Sequence, residues 1–236
     1  MKTIIIISML VIGGISSAVY LSGKSTITEI SVLRDITDAQ LSNPKAGEII
    51  PLYDFETIKW NGGIFRFTNI SNVSFNPSKE AKIGTANEWL SNEYDREKEV
   101  KNFDSDVSKI LNDAGSDSIG KKHSSIYMPV AMELNRLSKS KASKRILIVY
   151  SDLMENSPEF SFYNAKTLVL LNSNYEVSRT KLNDLLPLQN LKGIDVYLLC
   201  QPSDVVGDSN FKTVSGFYKK VLEGKGATVT ISANLL

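Results

Sequence analysis

Two acidic segments follow directly on apolar runs. Asp35-Ile36-Thr37-Asp38 comes after residues 29–34, and Ser151-Asp152-Leu153-Met154-Glu155 comes after residues 145–150. In open α/β sheets, ligands bind beyond the carboxyl ends of strands, where the strand order reverses. If the two runs are neighbouring strands at such a point, Asp35, Thr37 and Asp152 converge. Carboxylate and hydroxyl oxygens without His or Cys suit a hard cation such as Mg²⁺, Mn²⁺ or Ca²⁺. Ser124, at the head of a predicted helix, is a fourth donor, although a hydroxyl there also serves as a helix cap. Asp35 and Asp152 could likewise do no more than cap the turns they open. Asp38 reads as an exposed loop acid, and Glu155 and Asn156 as residues shaping the rim.

Other chemistries find little support. One cysteine and one histidine exclude a Cys-based zinc site and a multi-His metal site. His123 and Ser124 are adjacent, so they do not face each other as a nucleophile and base would, and no Gly-x-Ser-x-Gly elbow occurs. Cys200 closes an apolar run and reads as a small buried residue. Gly224-Lys225-Gly226 lacks the Ser or Thr that a phosphate loop places after its Lys. The basic stretch 138–145 reads as a solvated loop, and Phe160, Phe162 and Tyr163 as a cover over the top of the sheet. A net charge of +1 provides no field for nucleic acid.

The elements that must position these residues follow from periodicity. Strands are predicted at 29–34, 63–68, 73–75, 145–150, 194–199 and 228–232, the last at an edge. Residues 145–150 are almost continuously apolar, as in a strand buried on both faces. Helices are predicted at 86–114, 125–137 and 210–222. The first has Trp89, Leu90, Tyr94, Val100, Phe103, Val107, Ile110 and Leu111 at spacings of mostly three and four. The alternation predicts an α/β fold, a doubly wound and mostly parallel sheet flanked by helices. Ahead of it, residues 4–21 carry no charge and as a helix would span about 27 Å, close to the hydrocarbon core of a bilayer. Residues 1–24 therefore read as a membrane anchor or a cleaved signal peptide, and 25–236 as the folded domain. Lys2 ahead of the apolar run places the domain outside the cytoplasm, in the cell envelope or secreted.

The order of these motifs resembles the von Willebrand factor A-like family, over residues 28–236. That family carries Asp-x-Ser/Thr-x-Ser after its first strand, a Ser or Thr opening a later helix, and an Asp after its fourth strand. Asp35 and Thr37, then Ser124, then Asp152 preceded by Ser151, stand at those positions. The resemblance implies a metal-ion-dependent adhesion site and a non-enzymatic module. Its partner would be a protein whose acidic side chain completes the metal shell. Ala39 stands where the family has its second hydroxyl, so a metal-free scaffold is the alternative. A weaker resemblance is to phosphate hydrolases of the haloacid dehalogenase type. Thr37 replaces their second Asp, and Ser203-Asp204 provides only one acid after residues 194–199.

Overall fold

The computed structural model describes residues 25–37, 43–71, 76–114, 125–156 and 161–235. Its frame is a six-stranded sheet in the order β3-β2-β1-β4-β5-β6. The strands are β1 (Ile27–Asp35), β2 (Gly62–Ile70), β3 (Ser78–Ile83), β4 (Lys144–Tyr150), β5 (Ile194–Leu199) and β6 (Thr228–Ser232). All neighbours run parallel except β2 and β3. The chain builds outward from β1 to β3, returns to the middle, and builds the other way from β4 to β6. β1 and β4 thus lie side by side at the reversal, with Leu33 opposite Val149 and Arg34 opposite Tyr150.

The helices are α1 (Ala46–Ile49), α2 (Glu93–Ala114), α3 (Tyr127–Leu137), α4 (Ala165–Ser173), α5 (Tyr175–Leu185) and α6 (Val205–Glu223). Two buried apolar clusters lie on opposite faces of the sheet. Val130 and Leu134 of α3 and Val214, Phe217 and Tyr218 of α6 pack with Leu147, Val149, Val196 and Leu198. Phe103 and Val107 of α2, with Ile49 and Tyr53, pack with Ile30, Val32, Phe65, Phe67, Ile146 and Ile148. Strand residues alternate between the two clusters because successive side chains point to opposite faces. The predicted α/β class with a mostly parallel, helix-flanked sheet is the one observed.

Gly63 is required by close approach. A Cβ there would meet Phe103 and Tyr53 at 3.0 Å, and those rings pack edge to face with centroids 4.9 Å apart.

Several elements depart from the sequence reading. The long helix begins at Glu93, not residue 86. Asn87 accepts a hydrogen bond from the Trp89 N–H (2.9 Å) and Asn92 one from the Tyr94 N–H (2.9 Å). Such side-chain bonds satisfy backbone donors outside a helix and fix its first turn late. As a result Trp89, Leu90 and Tyr94, read as core positions, are 70%, 86% and 75% exposed. The third described strand is the polar segment Ser78–Ile83, with an antiparallel register to β2 that no apolar pattern signals. The predicted strand at 73–75 and the apolar segment 4–21 lie outside the described residues. Among the described residues no helix is long and apolar enough to cross a membrane. Helices α4 and α5 add to the predicted set, and Asn164 caps α4 by accepting from the Lys166 N–H (2.9 Å).

Candidate functional site

β1 ends on Asp35, which is buried. Its Oδ1 accepts hydrogen bonds from the Thr37 N–H (2.9 Å) and the Thr37 hydroxyl (2.6 Å). Its Oδ2 accepts from the Ser151 hydroxyl (3.0 Å), which arrives from the end of neighbouring β4. One carboxylate therefore ties the two loops together. Each hydroxyl spends its single proton on Asp35, which leaves the Thr37 and Ser151 oxygens to act as acceptors.

The loop after β4 is turned by its own side chains. Ser151 Oγ accepts from the Leu153 N–H (2.9 Å), and Asp152 Oδ1 accepts from the Met154 N–H (2.9 Å). Between them Leu153 adopts φ +63° with its side chain fully buried. A bulky residue in the left-handed region costs free energy and persists where the surroundings over-determine it. Here the apolar cluster under α3 holds the side chain and Ser151 holds the backbone.

Glu155 departs from its reading as a rim residue. It is fully buried, and its Oε2 accepts from the N–H groups of Ile126 and Tyr127 (both 2.8 Å). These are donors at the start of α3, where a negative charge is also favoured by the helix dipole. Glu155 thus fixes the β4 loop to the segment that follows Ser124. Replacing it by Gln keeps an acceptor but removes the charge. Glu155→Gln should cost about 1–2 kcal/mol in denaturant unfolding. It should also speed hydrogen exchange at the amides of Ile126 and Tyr127; unchanged exchange there would refute the tie.

Beside this loop lies a half-open cleft of about 390 Å³, lined by Asp152, Met154, Tyr163, Cys200, Gln201 and Asn210, among others. Burial first, then the charges of Asp152 and Asp35, push the Cys200 thiol up to about 12. At pH 8 only about one thiol in ten thousand would be ionised, too few for an attacking group. Native chain should therefore react with an aromatic disulfide reagent far more slowly than denatured chain; equal rates would contradict this environment. Asp204, the acid available to a phosphate hydrolase, caps α6 by accepting from the Gly207 N–H (2.7 Å).

Of the sequence-predicted ligands, Asp35 and Thr37 are in direct contact, and Asp152 stands on the adjoining loop. Ser124, together with Asp38, Ala39, His123 and Phe160, lies outside the described residues. The sequence singled out Ser151 only as the neighbour of Asp152, whereas it makes the bond between the strands. The signal was a hydroxyl placed directly after the apolar run 146–150. Phe162 is buried against Phe217 and Tyr218, as a cover over the sheet requires, while Tyr163 is exposed.

The side chains of Asp35, Thr37, Ser151 and Asp152 offer oxygens alone, the donor type that suits a hard cation. Among the described residues no three of His, Cys, Asp and Glu gather into a metal-ligating group. A cation held here would therefore draw on hydroxyls as well as carboxylates. No known family model matches the chain, and no curated protein does.

Proposed function

We propose that the chain is a von Willebrand factor A-like binding module, doubly wound like a Rossmann sheet. In this reading it is tethered to, or exported across, a cell-envelope membrane through residues 1–24. Asp35, Thr37, Ser124 and Asp152 hold a divalent cation, Mg²⁺ or else Mn²⁺ or Ca²⁺. An acidic side chain of a partner protein completes its shell. The cation would supply a positive centre for that carboxylate, and the chain's own residues would orient it.

The observation that carries the reading is the position of Asp35. It ends β1 at the reversal of strand order and gathers hydroxyls from its own loop and from the end of β4. The reading includes no catalysis, since Cys200 is held neutral and Asp204 is spent on a cap.

Ala39 favours a second reading, a scaffold that works without metal, because a family hydroxyl is missing there. The bonds that already engage Asp35 through both of its oxygens are compatible with it. Thermal unfolding in Mg²⁺, Mn²⁺ or Ca²⁺ against a chelator, with Asp152→Ala alongside, separates the two. A shift in the parent that the variant lacks supports the adhesion site. No shift in either leaves the metal-free scaffold.

A further inference from the structure

The described chain begins at the opposite end of the sheet from Asp35. There the Ser25 hydroxyl donates to the Ala86 carbonyl (3.0 Å), and the Thr26 N–H donates to Asn61 Oδ1 (3.0 Å). Immediately after Ala86 come the exposed side chains of Trp89, Leu90 and Tyr94. The segment is joined to the body at its C-terminal side. Arg96, itself buried, donates to the Lys59 carbonyl (2.7 Å) and to the Asn61 carbonyl. Lys59 in turn pairs with Glu93. The turn at Trp89 and Leu90 and the first turn of α2 thus present two amphipathic aromatics and a leucine to the outside, which a protein rarely does without a contact to cover them.

The uncharged segment 4–21 ends only a few residues before Ser25. Residues 22–24, even fully extended, allow at most about 14 Å between Leu21 and Ser25. If residues 4–21 lie in a bilayer, this end of the sheet is held at the membrane surface. Trp and Tyr concentrate at that depth, because their rings are apolar and their polar tips stay wet.

We infer that Trp89, Leu90 and Tyr94 form a membrane-interface foot that seats the domain on the bilayer from which its own apolar segment emerges. The inference rests on the reading of residues 4–21 as an uncleaved anchor. Glu88, Glu93 and Glu97 lie beside these residues in sequence, and Lys59, which pairs with Glu93 and Glu97, offsets only one of the three charges; the excess of acid disfavours anionic headgroups, so the surface it fits is neutral lipid. β1 then runs away from the membrane. At about 3.3 Å per residue it carries Asp35 roughly 26 Å beyond Ile27. The candidate cation site faces outward, where a partner can reach it.

The test uses the full chain in phosphatidylcholine vesicles whose acyl chains carry bromine near the headgroup. The chain has two tryptophans, so Trp60→Phe leaves Trp89 as the sole reporter. Comparing the parent with Trp89→Phe gives the same reading without altering Trp60. Vesicle flotation reports the anchor separately. The expected result is that the chain floats, Trp89 emission is lost to brominated lipid, and iodide in the water fails to quench it. A floating chain whose Trp89 is indifferent to bromine and quenched by iodide overturns the foot and leaves the anchor standing. A chain that does not float overturns both.

Discussion

Saturating Mg²⁺ or Mn²⁺ is expected to stabilise the chain by about 2.7 kcal/mol once the ion exceeds its dissociation constant a hundredfold. For a domain of this size that corresponds to a rise in Tm of roughly 5–10 °C. The physical ground is the buried Asp35 carboxylate and the two hydroxyls it orients, with Asp152 on the next loop. Folding joins Asp35 to Thr37 and Ser151, so an ion that used these oxygens would bind the native state in preference to the unfolded one. Asp152→Ala is the cleaner probe, because Asp152 is only half-buried and its side chain accepts from the nearby Met154 amide within its own loop. Asp35→Ala should also abolish the response, from a lower starting stability, since it leaves Thr37 and Ser151 without their shared acceptor. A parent chain indifferent to all three ions would remove the cation from the proposed function.

Arg136→Met should lower stability by about 3 kcal/mol. Arg136 on α3 donates to Glu29 (2.6 Å), to Ser31 (2.9 Å) and to Glu133 (2.8 Å). Ser140 also bonds Glu29, and Glu133 pairs with Arg66 (3.4 Å), which pairs with Glu80. Glu29 lies on the central strand with its side chain 3% exposed. Removing one partner of a buried pair leaves an uncompensated charge, at about 3–5 kcal/mol. The lower end applies because Arg136 keeps a third of its side chain in water. In denaturant unfolding the midpoint should fall with the slope unchanged. Adding Glu29→Gln to Arg136→Met should recover more than about 0.5 kcal/mol, the coupling of residues in contact. A loss within about 0.5 kcal/mol, as for ordinary surface changes, would show that the network contributes little. The network also bears on the site, because α3 is held by Arg136 near its end and by Glu155 at its start.

Much of the frame was legible because period and apolar continuity are local properties. Residues 194–199 and 228–232 coincide with β5 and β6, and 145–150 with all but one residue of β4. The start of α2 was misplaced because apolar residues continue at helical spacing past the point where Asn92 takes over the first amides. β3 was missed because an edge strand exposes one face and reads as polar. It is held instead by backbone pairing and by side-chain bonds such as Thr68 to Ser78 (2.7 Å). Asp35 and Thr37 were readable as a pair because a two-residue spacing lets a side chain reach its neighbour's amide and hydroxyl.

The sequence by itself determined the class of fold, the central position of the most apolar strand and the acids that end β1 and follow β4. Each of these is a matter of neighbours along the chain. Only the tertiary structure decided that Ser151 is the bridge between those loops. It also turned Glu155 inward to hold α3, and it drew the buried Glu29 and Glu133 and the part-buried Arg136 into one network. Those contacts join residues far apart in sequence, from Glu155 with Ile126 to Arg136 with Glu29. Their worth comes from burial, where an unpaired charge or amide is costly and a paired one is held in place. Burial is a property of the packed molecule, and no stretch of the chain carries it alone.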